Sequence, residues 1–284
     1  VSVREALDSA VDALAAVGVD EPRLDAELLL GEAMGRERAA LVADPTAEVQ
    51  PAAARRFGEM VRRRLRREPV AYILGRKGFR RIELAVDPRV LVPRPETELL
   101  VELALELRPA RVLDVGTGSG AIALAVADEL PEAEVTATDT SPAALELARA
   151  NAARLGPSER VRFVAGTLPD EERGWDLILA NLPYVAERDW SSLQSEVTKF
   201  EPREALLAGP DGLDAYRAFI PECSLRLSRY AAQRKGALGV EVGEGQASAV
   251  AELMRGVGFG EVETRRDLAG IERAVVGRSV KVEG

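Results

Sequence analysis

Val112-Leu-Asp-Val-Gly116-Thr-Gly118-Ser-Gly120 reads as an apolar strand that runs into a glycine-rich turn and opens a helix. Glycines at such a turn let the backbone approach a ligand closely, and the helix start offers free N–H groups. Working outward from Arg111 to Val115, short β-branched runs recur at Glu134 to Thr138, Val161 to Val164, Leu177 to Ala180 and Leu238 to Val242. Helical stretches such as Ala121 to Glu129 and Ala143 to Arg154 separate them. This alternation predicts right-handed βαβ crossovers and a doubly wound α/β domain on a largely parallel sheet. Near the end, Gly260 to Thr264 and Glu272 to Gly277 flank a short loop and suggest a terminal antiparallel pair.

The turn by itself leaves two kinds of ligand open. Gly116-x-Gly118-x-x-Ala121 satisfies the dinucleotide fingerprint, and Asp139, nineteen residues after Gly120, can accept both hydroxyls of a ribose. Asp114 points to another ligand. Two residues before the first glycine, its charge would face the cationic end of a ligand better than a pyrophosphate. S-adenosylmethionine carries an ammonium and a sulfonium and no phosphate. A carboxylate at this position can also cap the N–H groups of its own loop, and the two roles can coexist.

The first part of the chain has a different pattern. Val3, Leu7, Val11, Leu14 and Val17 predict an amphipathic helix stopped by Gly18. A second helix follows Pro22, with Leu24, Leu28 and Met34 as its expected buried face, and a short third covers Glu37 to Ala43 before Asp44-Pro45 breaks the chain. A longer helix is expected from Pro51 to Arg67, apolar on Phe57, Met60, Val61 and Leu65. Arg55, Arg56, Arg62, Arg63, Arg64, Arg66 and Arg67 crowd its remaining surface. The plain reading of that run is a solvated helix face, and the sharper one is a patch that docks an acidic partner or phosphate. Residues 1–81 carry 15 basic and 13 acidic side chains, whereas the rest of the chain has a net charge of −11. The asymmetry places a domain boundary near that point.

Composition removes whole classes of chemistry. The 284 residues include no histidine, which excludes Ser-His-Asp and Cys-His nucleophiles, histidine bases and histidine-ligated metals. The single cysteine, Cys223, permits neither an internal disulfide nor a cysteine-rich metal site, so no metal is expected and a reducing compartment fits. No apolar run approaches the roughly 20 residues of a membrane span, and Val1 to Val19 carries Glu5, Asp8 and Asp12 rather than a basic signal front. A cytoplasmic protein without a membrane partner is expected. The net charge of −9 argues against stable nucleic-acid binding.

Asn181-Leu-Pro-Tyr184 follows the strand Asp176 to Ala180, at the carboxyl edge of the expected sheet, where open α/β folds bind ligands. In isolation it is a proline turn with a core tyrosine. Beside a cofactor loop it suits methylation of an amide or exocyclic nitrogen, whose delocalised lone pair makes it a poor nucleophile. The Asn181 side-chain oxygen and the Leu182 carbonyl can each accept one N–H of an –NH2 group, so that catalysis rests on orientation and electrostatic placement. Pro93-Arg-Pro-Glu-Thr-Glu98 either lines this site or starts a helix with Glu96 and Glu98 near its positive end. Glu241 and Glu244 read as surface or loop-capping carboxylates, Trp175 as packing, and Trp190 as part of a loop that gates the substrate.

These residues resemble class I S-adenosylmethionine-dependent methyltransferases, and within them the HemK/PrmC protein-(glutamine-N5) methyltransferases that modify peptide chain release factors. Besides the glycine loop, the likeness includes Glu68-Pro-Val-Ala-Tyr-Ile-Leu-Gly75, Val90 to Glu98, Phe200-Glu-Pro-Arg-Glu-Ala-Leu206, Gly209-Pro-Asp-Gly-Leu-Asp-Ala-Tyr216 and Glu241-Val-Gly-Glu-Gly-Gln246. The resemblance implies a Rossmann-like methyltransferase domain over residues 93–284, a helical substrate-docking domain over 1–75 and a β-hairpin linker over 76–92. It implies S-adenosylmethionine as cofactor, S-adenosylhomocysteine as product, a role in translation termination and a monomeric enzyme. The substrate would be the glutamine of the GGQ motif in class 1 release factors. Cofactor contacts would come from Asp114, Gly116, Thr117, Gly118, Ser119, Gly120, Asp139, Thr167, Leu168 and Asn181. Asn181, Leu182, Pro183 and Tyr184 would hold the substrate amide, with Asn181, Pro183 and Tyr184 as the catalytic set and Tyr184 lining the glutamine slot.

This chain departs from the family pattern at three places. Leu182 stands where the family usually has proline, Thr167 and Leu168 stand where an acidic residue and often an aromatic are common, and Arg203 replaces a frequent histidine. Asn-Leu-Pro-Tyr is also the form in ribosomal RNA adenine dimethylases, which makes adenine-N6 methylation of RNA or DNA the alternative function.

Overall fold

The computed structural model describes residues 1–156, 159–169, 174–228 and 236–279, so residues 157–158, 170–173, 229–235 and 280–284 of the expected catalytic domain lie outside the described residues. Its helices are α1 (Val3–Ala16), α2 (Pro22–Met34), α3 (Arg38–Ala43), α4 (Pro51–Leu65), α5 (Val70–Leu74), α6 (Glu98–Leu107), α7 (Ala121–Glu129), α8 (Pro142–Leu155), α9 (Ser195–Phe200), α10 (Asp214–Ser228) and α11 (Ala247–Gly256). The strands are β1 (Arg76–Phe79), β2 (Ile82–Ala85), β3 (Arg111–Val115), β4 (Glu134–Asp139), β5 (Val161–Ala165), β6 (Leu177–Ala180), β7 (Ala237–Glu241), β8 (Phe259–Arg266) and β9 (Glu272–Ser279). Packing divides them into two units.

The first unit is Val1–Arg76 together with Gln194–Phe200. Helix α1 starts on a reciprocal cap: Ser2 Oγ accepts the Glu5 N–H at 3.3 Å, and the Glu5 carboxylate accepts the Ser2 N–H at 2.8 Å. Val3, Leu7, Ala10 and Leu14 form its buried stripe. On α2 the buried face is Ala26, Leu29, Leu30 and Ala33, whereas the expected Leu24, Leu28 and Met34 are half-buried. Three consecutive leucines at 28–30 point in three directions, so hydrophobicity alone leaves the phase open. The inward alanines let α1 and α4 pack closely on α2.

The arginine run on α4 is neither a simple solvated face nor a free patch. Arg64 is buried and pairs with Asp25 at 2.6 Å and Glu196 of α9 at 2.7 Å, and Arg67 holds the same Glu196 at 2.6 Å. Arg63 pairs with Glu68 at 2.5 Å. Arg67 also donates to the carbonyls of Val17 and Gly18 at the end of α1. Arg55, Arg62 and Arg66 remain exposed. Removing one partner from a buried ion pair of this kind costs about 3–5 kcal/mol, because the other charge stays behind without compensation.

The second unit is Lys77–Leu193 with Glu201–Gly284. Strands β1 and β2 form a two-stranded sheet around a turn in which Arg80 has a φ of 51°. The main sheet has the order β5-β4-β3-β6-β7-β9-β8; its first five strands are parallel, and β9 runs antiparallel to both β7 and β8. The central strands β6 and β7 are buried along their whole length, which is why they read as unbroken apolar runs rather than alternating ones. Gly239 on β7 makes room for α6: a Cβ there would stand 2.6 Å from Leu103 Cδ2.

The chain leaves β3 for β4 and β5 on one side and returns to β6 and β7 on the other, so the strand order reverses at β3. Val115 is in register with Thr138 of β4 and with Ala180 of β6. Gly116, Asp139 and Asn181 are therefore the next residues past one line across three neighbouring strands. That is the switch point where ligands bind in open α/β sheets. Among the described residues, no helix is long and apolar enough to cross a membrane.

Candidate active site

A cavity of about 620 Å³ opens at this line, within the range of roughly 300–1,000 Å³ typical of small-molecule sites. Its wall includes Gly116, Thr117, Gly118, Ser119, Asp139, Thr167, Leu168, Asn181, Leu182 and Pro183. The structure thus brings most of the sequence-selected residues together. Gly116, Gly118 and Gly120 all take positive φ, at 74°, 55° and 87°. A side chain at Gly120 would also come within 2.9 Å of Leu124 Cδ1. The turn is pinned from below by Asn151 of α8, whose Nδ2 donates to the Ser119 carbonyl at 2.9 Å and to the Ala85 carbonyl at 3.0 Å.

Asp139 has both carboxylate oxygens anchored, Oδ2 by the Gly118 N–H at 2.9 Å and Oδ1 by the Ser141 N–H at 2.8 Å. Each oxygen keeps lone-pair capacity toward the cavity. Thr138 Oγ1 donates to the Thr167 carbonyl at 2.7 Å and so sets the segment that carries Thr167 and Leu168.

Asp114 is placed differently from the expectation of a charge facing the ligand. It is fully buried beneath the turn, where Oδ2 accepts the Thr117 hydroxyl at 2.6 Å and the Ala123 N–H at 3.1 Å. Its Oδ1 is buried without a hydrogen-bond partner among the described residues. The geometry is that of a loop cap. Burial pushes its carboxyl up to about 7, against the pull of those two hydrogen bonds.

Asn181 projects from the end of β6 with its Nδ2 donating to Thr97 Oγ1 at 3.0 Å. Thr97 Oγ1 in turn donates to Glu241 Oε2 at 2.5 Å. Glu241 is 2% exposed at the end of β7, which corrects the surface reading of this residue. Burial pushes it up to about 7, against the Thr97 hydrogen bond. Leu182 is also buried, with its side chain in the main hydrophobic core and 3.9 Å from where a Gly116 Cβ would stand. It therefore packs as well as offering a carbonyl.

Tyr184 is not part of the cavity wall. Its ring packs on the core beside Gly243, and its carbonyl accepts from Gln246 Nε2 at 2.9 Å. Burial, with Glu241 nearby, pushes its phenol up to about 12, so it acts only as a neutral hydroxyl near neutral pH. Trp175 is buried and carries the Arg111 guanidinium 4.7 Å from its ring centre. Trp190 lies in a 3-10 turn, Glu187–Ser192, with Arg203 stacked 5.1 Å from its ring centre, which gives Arg203 a packing role.

Several residues inside the motifs quoted from the sequence, none of them assigned a role there, shape the site. Gln246 ties the 181–184 segment to Gly212, whose φ is 78° and whose carbonyl it also reaches at 3.4 Å. Tyr216 donates to the Glu241 carbonyl at 2.7 Å. Glu201 is buried, holds Arg94 at 2.5 Å and accepts the Val92 N–H at 3.1 Å. Among the described residues no cluster of potential metal ligands occurs.

Comparison with known proteins bears on the same residues. Residues 5–75 match the PrmC N-terminal domain, and residues 112–200 match a methyltransferase domain. The chain is 47% identical over 260 residues to the release factor glutamine methyltransferase of Bordetella pertussis, covering 89% of this chain and 93% of that one. This chain belongs to the release factor glutamine methyltransferase family. A second member, from Moorella thermoacetica, is 43% identical over 279 residues, 96% of each chain. The hMettl16 catalytic domain in complex with MAT2A 3′UTR hairpin 1 shares the fold at a TM-score of 0.57 and 17% identity, over 70% of this chain and 76% of that one. The 93–98, 200–206, 209–216 and 241–246 stretches each hold the segment that begins at Asn181: Thr97 accepts from the Asn181 amide, the Leu206 and Gly209 carbonyls accept the Val185 and Glu187 N–H groups, and Gln246 donates to the Tyr184 carbonyl.

Proposed function

We propose that this protein transfers a methyl group from S-adenosylmethionine to the side-chain amide nitrogen, N5, of the glutamine in the GGQ motif of class 1 release factors. The observation that carries the reading is the Asn181 amide, held by Thr97 one residue past the strand end and on the wall of the same cavity as Asp139. Family membership supports it.

The residues present fit the cofactor. The Asp139 carboxylate retains acceptor capacity for two ribose hydroxyls, and Gly118 leaves open space where a Cβ would stand. Thr167 and Leu168 would flank the adenine, and the Gly116 to Gly120 turn would bring backbone N–H groups to the amino-acid portion. Asp114 would act by holding that turn. When bound, the cofactor supplies an electrophilic methyl group.

The chain's own part is orientation. Asn181 Oδ1 and the Leu182 carbonyl would accept the two N–H groups of the glutamine, aligning the nitrogen lone pair with the methyl group. Two such acceptors would replace the water that otherwise solvates the amide. Leu182, Pro183 and Phe219 supply apolar wall that excludes water. The first unit, which contains residues 1–75, would dock the release factor.

The test incubates the protein with labelled S-adenosylmethionine and a class 1 release factor, and separately with ribosomal RNA, then locates the methyl group by mass spectrometry. Label on the GGQ glutamine, lost when that residue is replaced, is the expected result. Label confined to RNA would overturn the reading.

A further inference from the structure

The chain of three side chains behind the active-site loop has a direction. Thr97 Oγ1 has one proton, and with Glu241 ionised it gives that proton to Oε2, 2.5 Å away. Toward Asn181 the hydroxyl then has only lone pairs to offer, so the amide must present its N–H, which matches Nδ2 at 3.0 Å. Asn181 and Thr97 both line the cavity, and the amide oxygen is the end of Asn181 left for a substrate N–H.

We propose that Glu241, through the Thr97 hydroxyl, sets which end of the Asn181 amide faces the substrate, making Thr97 and Glu241 positioning residues for methyl transfer. The inference rests on the function proposed above and extends it to two residues that touch neither reacting atom. A substrate –NH2 group needs an acceptor. With Glu241 ionised, it meets Asn181 Oδ1. With Glu241 protonated, the carboxyl becomes a donor to Thr97, the hydroxyl proton turns toward Asn181 and the amide reverses. The substrate's N–H groups then face the N–H groups of Asn181.

The ionisation of Glu241 is balanced by its surroundings. Arg94, before the 3-10 turn Pro95–Thr97, and Arg273 on β9 favour the charged form, whereas Glu96 on that turn disfavours it. Tyr184, after β6, and Tyr216, on α10, face it as neutral phenols. The carboxyl is nearly inaccessible to water, so burial opposes its charge most strongly. Its affinity for a proton, raised to about 7, lets the chain reverse direction within an accessible pH range.

The experiment combines kinetics with an observation that needs no substrate. The side-chain 1H–15N pair of Asn181, assigned by its loss in Asn181→Ala, is followed from pH 5.5 to 8.5 in wild type and Glu241→Gln. The pair is expected to move with pH in wild type and to stay fixed in the variant. In parallel, Thr97→Val is expected to lower kcat at least about tenfold, equivalent to ~1.4 kcal/mol, while the Kd for S-adenosylhomocysteine stays within about twofold. Thr97→Ser, which restores the hydroxyl, is expected to recover kcat to within about threefold. Full kcat in Thr97→Val, equal loss in the serine and valine variants, or an Asn181 amide indifferent to Glu241 would each overturn the proposal. An amide that titrates as expected in a protein that leaves release factors unmodified would instead overturn the substrate reading and leave the chain's direction standing.

Discussion

Replacing Gly212 with alanine should separate binding of the cofactor from turnover. The new Cβ would lie 2.3 Å from the Tyr184 carbonyl oxygen, 2.7 Å from Gln246 Nε2 and 3.1 Å from the Ala186 nitrogen. Two of those three neighbours are backbone atoms of the active-site loop, which cannot rotate aside as a long side chain would. Restoring an ordinary contact of 3.4 Å from 2.3 Å requires the loop to retreat by about 1 Å, and a displacement of that size can cost about 100-fold in rate. The φ of 78° adds about 1–2 kcal/mol of strain for any residue with a Cβ. With the lost Gln246 contact, the total is about 2–4 kcal/mol, or a fall in Tm of roughly 5–15 °C for a unit of this size. The glycine turn follows β3 and Asp139 ends β4, both outside the displaced loop, so the Kd for S-adenosylhomocysteine should stay within about threefold. Steady-state methyl transfer at 20 °C, titration calorimetry with S-adenosylhomocysteine and differential scanning calorimetry read the three quantities. A kcat within threefold of wild type would refute the idea that Gly212 holds the loop in its reactive position.

Other perturbations address single links of the same argument. Asn181→Ala should abolish turnover and leave S-adenosylhomocysteine binding within a few-fold, as measured by calorimetry, because the amide orients the substrate. Asp139→Ala should weaken S-adenosylhomocysteine at least about tenfold, since it removes the ribose acceptors and frees the Gly118 and Ser141 N–H groups. Leu182→Ala should cost about 2–4 kcal/mol in urea unfolding, as expected for a buried leucine packed between the core and the glycine turn. The carboxyl of Asp114 is raised by burial to about 7, so between the unfolded value near 4 and about 7 the folded state holds the extra proton. Its contribution to stability is therefore full at low pH and declines as pH rises through that window. Asp114→Asn should remove this decline, visible as a flatter difference in unfolding free energy between pH 4.5 and 7.5.

The central sheet and its ligand edge could be read from the sequence because their signals are local. Buried parallel strands appear as apolar runs, and the glycine turn needs its residues within nine positions of one another. The partners of the arginine run were not legible for the opposite reason: Arg64 and Arg67 pair with Glu196, more than a hundred residues away, and no periodicity reports such a pairing. Glu241 looked like a surface carboxylate because loop residues follow it. Its position at the end of the otherwise apolar Ala237-Leu-Gly-Val was the available clue that a charge was being carried inward. At Asp114, proximity in sequence does not fix which way the carboxylate turns. It precedes the turn closely enough to face a ligand, but β3 is buried on both sides, and the carboxylate satisfies the turn instead. At Leu182 the sequence marks only a carbonyl, whereas the register of β6 also turns the side chain into the core.

The pairing of Arg64 and Arg67 with Glu196 also bears on transplantation. The helical unit is discontinuous, since the segment Gln194–Phe200 enters it from within the methyltransferase sequence. A fragment cut after residue 75 would keep both arginines and lose Glu196, leaving Asp25 to Arg64 and removing the carboxylate that Arg67 holds. Exchanging the first 75 residues between relatives would likewise mate one protein's arginines with another's residue 196. A functional chimera therefore needs two grafts, the N-terminal helices and α9, exchanged as a matched set.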